Sequence, residues 1–119
     1  MTLFLRSITT YLPLRIESVA NLREHWAKTA KRTKLHRQAA LGVMLVEPLP
    51  VIVELMRIAP RPLDDDNLRS AFKALRDGIA DRYGVKDNDP RIEWRYSQHK
   101  GPPKSYGATV TISSPGGGL

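Results

Sequence analysis

Two short acidic segments are the part of this chain whose residue types and spacing point to chemistry. Asp64, Asp65 and Asp66 stand in succession between a predicted strand and a predicted helix, and Asp87-Asn88-Asp89 follows that helix. Capping explains one aspartate at a helix start, because its carboxylate accepts hydrogen bonds from free backbone N–H groups. Three in succession repel one another, and a bound divalent cation offsets that repulsion. The sequence therefore predicts a metal site here.

The spacing within the two segments indicates which carboxylates bind the metal. Alternate side chains of an extended segment share one side, so Asp64 and Asp66 are expected together, with Asp65 facing away. Asp87 or Asp89 adds a third carboxylate if the second segment returns beside the first, although an ordinary Asp/Asn turn also accounts for that segment. Such oxygen ligands suit Mg²⁺, which activates water and offsets phosphate charge. We predict Asp64, Asp66 and either Asp87 or Asp89 as metal ligands and catalytic residues.

The charge of the chain is strongly positive and unevenly placed. Nineteen Lys and Arg face twelve Asp and Glu, a net charge of +7, and residues 1–41 alone hold eight of these cations and two of the anions. Such a basic arm, at about residues 20–37, attracts polyanions by counterion release, whereas a merely soluble surface is the alternative. The cations predicted to contact DNA are Arg23, Lys28, Lys31, Arg32, Lys34, Arg37, Arg69 and Arg76. Trp26 in the arm is the candidate for stacking on bases, and Trp94 for core packing.

Length and composition limit the class of protein. A chain of 119 residues suits one domain. The absence of cysteine excludes disulfides and thiolate metal sites. No apolar run approaches the roughly 20 residues that span a bilayer, and the first ten residues lack the cleavage site of a signal peptide. The expected location is the cytoplasm, without a membrane partner.

Hydrophobic periodicity and turn signals predict the element order β-α-β-α-β-β. An edge strand and loop are predicted in Leu3–Leu14, further strands at Val51–Ile58, Ile92–His99 and Tyr106–Ile112, and helices at Asn21–Val46 and from Asp64 to Gly84. The second helix has one continuous apolar face, formed by Leu68, Ala71, Phe72, Leu75 and Ile79. We predict a single α+β domain over residues 1–113, a mixed sheet with two main helices packed on it, and a flexible tail at 114–119.

The segment Asp64-x-Asp66-Asn67-Leu68, its amphipathic helix and the acidic turn at 87–89 together resemble the RusA-type Holliday-junction resolvases, a family carried mostly by phages and prophages. The resemblance extends over roughly Leu12–Ile112. It implies a homodimer that binds four-way DNA junctions in recombination and repair and cuts paired strands with Mg²⁺. The metal-binding aspartates of the family correspond to Asp64 and Asp66, and the third to Asp87 or Asp89.

One position departs from the family pattern. The family carries a lysine one turn after its second aspartate, where this chain has Ser70. Lys73, seven residues after Asp66, lies on the same helical face and is the predicted catalytic substitute. The leading hypothesis is therefore a Mg²⁺-dependent junction-resolving endonuclease. The alternatives are a non-catalytic branched-DNA-binding protein of the same fold, in which Ser70 ended efficient cutting, and a nuclease acting on flaps or single strands.

Overall fold

The fold is built on one four-stranded mixed sheet. The structure, a computed structural model, describes residues 6–18 and 26–115. Its strands are β1 (Ser7–Leu12), β2 (Val51–Ala59), β3 (Ile92–Lys100) and β4 (Gly107–Ser113), in the spatial order β1-β4-β2-β3. β2 runs parallel to β3 and antiparallel to β4, and β1 pairs antiparallel with β4 at the edge. The predicted mixed sheet and edge strand are confirmed.

Three helices pack with this sheet in a single α+β domain. They are α1 (Trp26–Ala39), α2 (Asp65–Ala71) and α3 (Lys73–Arg82), and a short 3₁₀ turn, Ala40–Gly42, follows α1. The predicted fold class and element order are therefore confirmed, with two corrections to the helices. Within the described ranges, no helix has the length and apolarity needed to cross a bilayer.

The second predicted helix is two helices that meet at Phe72. The Phe72 backbone N–H donates to the Arg69 carbonyl at 3.2 Å. This is an i→i−3 hydrogen bond of the 3₁₀ type, which tightens the last turn and ends α2. The Phe72 side chain is fully buried, and its ring centroid lies 6.1 Å from that of Tyr96. The break leaves the predicted apolar face intact, since all five of its side chains are buried: Leu68, Ala71, Phe72, Leu75 and Ile79.

The first predicted helix ends earlier than expected, at Ala39 instead of Val46. Val43 is extended, with φ −75° and ψ 131°, and Gly42 before it is a poor helix former. The Arg82 guanidinium donates to the carbonyls of Ala40 and Val43, so these groups do not need a continued helix. The predicted start at Asn21 lies outside the described residues.

The sequence predicts an imperfect apolar stripe on the first helix, formed by Trp26, Ala27, Ala30, Leu35, Ala39, Val43 and Val46. The first four of these seven residues prove to be exposed. Trp26 is 75% exposed and Leu35 is 56% exposed, whereas the buried residue of the helix is His36. Val43 and Val46 are buried as predicted, but from the irregular segment after the 3₁₀ turn. Helix α1 therefore presents most of its surface to solvent, and this surface is basic.

Gly84 closes helix α3 as the sequence predicts, two residues after the helix ends at Arg82. Gly84 has φ +74°, a left-handed conformation that glycine adopts without a Cβ clash. The Gly84 N–H donates to the Asp81 carbonyl at 2.9 Å, and the Val85 N–H donates to the Ala80 carbonyl at 3.1 Å. This pair of bonds closes the last turn and directs the chain into the acidic segment before β3.

The core lies between one face of the sheet and the helices. Alternate side chains of the central strands β2 and β4 are buried, including Val51, Val53, Leu55, Val110 and Ile112. They pack with the buried face of α2 and α3 in one continuous cluster. This cluster fixes the helix that begins beside Asp64 against β2 and β3, so it positions both acidic segments.

Candidate active site

Asp64 caps helix α2. Its Oδ1 accepts the backbone N–H of Asn67 at 2.9 Å, and its Oδ2 accepts the Asn67 side-chain amide at 3.0 Å. The preceding residue is held as well, because the Leu63 backbone exchanges two hydrogen bonds with the Gln98 amide, each of 2.8 Å. Each carboxylate oxygen of Asp64 can accept a second bond. The carboxylate is thus fixed in place and still able to bind a cation.

Asp65 and Asp66 begin α2, so the expected alternation of an extended segment does not apply to them. Asp65 faces along the helix to Arg69, with 3.2 Å between its Oδ2 and the arginine Nε. Asp66 is exposed and has no ion pair within the part of the chain that the structure describes. The predicted basis for separating Asp65 from Asp64 and Asp66, alternation along an extended segment, is therefore wrong, and the ion pair with Arg69 is what distinguishes Asp65.

Asp87 and Asp89 have different surroundings. Asp87 faces α3: its Oδ2 lies 3.4 Å from the Lys73 ammonium and 3.1 Å from Arg76 Nε, although that N–H is not directed at it. Its carbonyl accepts the Trp94 indole N–H at 2.8 Å. Asp89 is bound by Arg91 instead, through the backbone N–H at 2.9 Å and two guanidinium bonds of 3.1 and 3.0 Å. These side-chain and backbone bonds from Arg91 lower the pKa of Asp89.

The donor set fits Mg²⁺ in chemistry but not as a preassembled cage. In residues 6–18 and 26–115, no three His, Asp or Glu side chains are grouped to hold a metal ion. The acidic turn folds back as far as Lys73, but the contacts it makes there are with cations. Mg²⁺ commonly uses one or two carboxylates and completes its shell with water and substrate phosphates. Asp64 and Asp66 are both exposed carboxylates, and their binding of a metal, like that of a third ligand, remains a prediction.

Lys73, the predicted catalytic substitute, lies in an ion-pair cluster. Its ammonium donates to Asp77 at 3.0 Å and to Asp87 at 3.4 Å, and the hydrogen bond to Asp77 is the main cause of its raised pKa. Lys73 and Ser70 both line a cleft of about 370 Å³ between α1 and the α2–α3 pair. Arg32 and Arg37 line the same cleft from α1. Cations of the basic arm are therefore close to the position that the family lysine occupies.

The predicted DNA-binding residues of α1 line a second, wider groove. Lys28, Lys31, Arg32 and Lys34 border a depression of about 680 Å³ against the segment that follows β1. Arg37 pairs with Asp81 of α3 and so also ties the helix to the domain. Arg23 lies outside the described residues. The groove gathers the predicted cations along one surface, as a site for a nucleic-acid backbone requires.

Arg69 and Arg76 belong to an aromatic cluster beside β3. Arg76 donates to the Tyr96 hydroxyl at 2.6 Å, and its guanidinium carbon lies 4.8 Å from the Trp94 ring centroid. Arg69 lies 5.2 Å from the Tyr96 ring centroid. Trp94 packs against the core as predicted, and its partner Arg76 is mostly buried. Arg76 therefore holds the acidic turn in place, whereas Arg69 is exposed enough to contact a ligand.

Sequence reasoning missed two residues near these grooves, His36 and Arg15. His36 is 3% exposed, and burial, followed by the charge of Arg32, lowers its pKa. Arg15 extends the basic groove from the segment after β1. An isolated histidine on a basic helix and an arginine in a predicted loop carry no sequence pattern, so only the packing reveals them. Comparison of the chain with protein-family models finds no match, and comparison with curated proteins finds none either.

Proposed function

We propose that this protein is a Mg²⁺-dependent endonuclease that hydrolyses branched DNA, with four-way junctions as its substrate, in recombination and repair. One observation carries the proposal: the cleft of about 370 Å³ sets the basic helix α1 opposite the helix pair that begins at the candidate carboxylates. Carboxylates alone repel DNA, whereas carboxylates within a basic surface attract its backbone and hold the cation that hydrolysis needs.

The residues divide into holding and positioning roles. Asp64 and Asp66 would hold Mg²⁺, which when bound supplies an activated water and charge compensation at a phosphodiester. Asp87 is the better candidate for a third ligand than Asp89, because Arg91 donates three hydrogen bonds to the Asp89 carboxylate, two of them to Oδ1. Lys73 offsets phosphate charge, and the α1 cations bind the backbone on either side.

The proposal includes a homodimer acting in the cytoplasm. Both features come from the family resemblance and the composition of the chain, and a two-fold symmetric enzyme suits a substrate that has paired strands. Light scattering of the protein, alone and with a synthetic junction, measures the assembly. Two chains per junction are expected, and one chain per junction would contradict the dimer.

The decisive experiment compares a synthetic four-way junction with a linear duplex of the same sequence, each with and without Mg²⁺. Paired nicks in the junction alone, dependent on Mg²⁺, are the expected result. A flap and a single strand with the same bases test the alternative that the nuclease acts on these substrates. Cleavage of these in place of the junction would change the substrate, and metal-independent cleavage would overturn the mechanism.

A second candidate function is a branched-DNA-binding protein without cleavage. It is favoured by the ion pairing of Asp87 with Lys73 and by Ser70 in the lysine position. Tight, junction-selective binding with intact DNA after long incubation in Mg²⁺ and Mn²⁺ would support this candidate over the enzyme.

A further inference from the structure

A small cavity beside the end of β2 brings three arginines together. It measures about 230 Å³ and is lined by Arg15, Arg57 and Arg61 with Pro60 and Tyr106. No carboxylate of the described residues lines it; Glu17, which pairs with Arg15, is a neighbour. Three like charges around one cavity repel, so the arrangement is suited to an anion.

Arg57 is fixed at the back of this cavity. It stands in the central strand β2, is 7% exposed, and donates from Nε to the Ile16 carbonyl and from Nη1 to the Arg61 carbonyl, both at 2.7 Å. Those bonds use two of the five N–H donors of a guanidinium. Burial lowers the pKa of Arg57, and the charge on Glu17 opposes that effect. A buried cation of this kind is stabilised by an anion that accepts its remaining hydrogen bonds.

The other two arginines are held at the mouth of the cavity. The Arg15 guanidinium carbon lies 3.9 Å from the Tyr106 ring centroid, so the ring and Glu17 together fix its plane. Arg61 is exposed, and its backbone is restricted by the prolines at 60 and 62. The guanidinium groups of Arg15 and Arg57 are therefore oriented before any ligand arrives, which lowers the entropy cost of binding.

We propose that Arg15, Arg57 and Arg61 form a phosphate-binding site that takes a backbone phosphodiester of the DNA. Guanidinium groups match the oxygens of phosphate with paired hydrogen bonds, which a cluster of lysines does not. The site stands between the two parts of the proposed machinery: Arg15 also lines the basic groove of α1, and Arg61 is three residues before Asp64. The assignment of the phosphate to DNA rests on the proposed function, whereas the capacity of the three arginines to bind a phosphate does not.

Arg61→Gln tests the site without disturbing Arg57, since the partner of Arg57 is the backbone carbonyl of residue 61. The matched control is Arg95→Gln, an exposed arginine of β3 that pairs with Glu93 at 2.5 Å. Junction binding is measured without divalent metal over a range of NaCl concentrations. Each lost phosphate contact lowers the slope of log affinity against log salt by about 0.9. We expect that change for Arg61→Gln and Arg15→Gln, and a wild-type slope for the control.

Inorganic phosphate is the second probe, read by the NMR signals of the Tyr106 ring. Shifts that saturate in the wild type and disappear in Arg61→Gln support the site. Phosphate shifts with an unchanged DNA slope would overturn the DNA assignment in favour of a free phosphate. Unchanged slopes and no phosphate shifts would overturn the site itself. None of these measurements depends on cleavage. If the protein binds DNA through these arginines and does not cut it, the endonuclease proposal fails and the phosphate site stands.

Discussion

The Lys73 ammonium lies 3.4 Å from the carboxylate of Asp87, fourteen residues further along the chain. The contact links the first turn of α3 to the acidic turn that follows the same helix. A lysine held by Asp87 and Asp77 has less charge to offer a phosphate than a lysine facing solvent. Lys73, the proposed substitute for the lysine that the resemblance leads us to expect at Ser70, is thus partly neutralised by two carboxylates.

Restoring the lysine by Ser70→Lys is expected to increase junction cleavage. Ser70 is exposed at the cleft between α1 and the α2–α3 pair, so the new ammonium is accommodated and adds positive charge near Asp66. The cleavage rate under single-turnover conditions measures the effect. Met44→Lys, which adds the same charge at an exposed position lining neither the cleft nor the basic groove of α1, should leave that rate close to wild type. Equal gains in both variants would attribute the effect to general attraction of DNA.

Asp66→Asn is expected to abolish cleavage while preserving folding and DNA binding. The side chain is exposed, so its charge contributes little to the fold, whereas one metal-binding carboxylate is worth about 10²-fold or more in rate, the scale of a single electrostatic contact. Cleavage, junction affinity and thermal unfolding are measured together. Asp65→Asn, one residue away and paired with Arg69, is the control and should keep cutting. Equal loss in both would remove Asp66 from the mechanism.

Stability is expected to fall as the pH is lowered below about 6.5, the ordinary histidine value, because of His36. Burial and Arg32 lower its pKa in the folded protein, against the smaller effects of the Arg15 backbone and Glu17. The unfolded chain therefore binds the proton first, and the stability present above the unfolded pKa is lost below it. Urea unfolding at pH 7.5 and 5.5 measures the difference. His36→Gln should reduce the difference in stability between the two pH values, whereas removal of the exposed His99 should not. The same difference in wild type and His36→Gln would contradict the assignment to His36.

Gly78→Ala is expected to destabilise the protein by separating α3 from α1. An added Cβ would lie 2.7 Å from the Ala40 Cβ and 3.3 Å from the Arg37 carbonyl. Overpacking of this kind costs roughly 1–3 kcal/mol, partly offset by the better helix propensity of alanine, about 1 kcal/mol. Ala40→Gly in the same chain should recover part of the loss in a double-mutant cycle by urea unfolding. Gly42→Ala meets no atom within 4 Å and should be nearly neutral.

The sequence predicts the sheet and the buried face of α2 and α3 well because each has a strong local pattern. The apolar face from Leu68 to Ile79 and the alternation in β2 are periodic, and prolines or glycines mark their ends. The break at Phe72 has no such mark: alanine and lysine on either side favour a helix, and the turn depends on how Phe72 packs near Tyr96. Tertiary contacts of this kind cannot be derived from spacing.

The candidate site is predictable in its residue types more than in its pairings. The acidic clusters and basic helix stand out along the sequence, and the structure places cations of α1 along two grooves, while their contact with DNA stays a prediction. Which cation meets which carboxylate depends on the path of the loop after α3, and this decides that Asp87 faces Lys73 while Asp89 faces Arg91. Arg57 and Arg61 are four residues apart, but Arg15 joins them from the segment after β1, so no local motif indicates the three together.

The position of β4 in the sheet has a consequence for how the protein is made. β4 lies between β1 and β2, with Ser7 opposite Ser113 and Leu12 opposite Ala108, so the first strand acquires its partner only when the last has been synthesised. Pairing over such a separation makes folding slow compared with local helix formation. On the ribosome, the basic residues of α1 are thus synthesised before α3, the helix that α1 packs against, and well before the sheet can close.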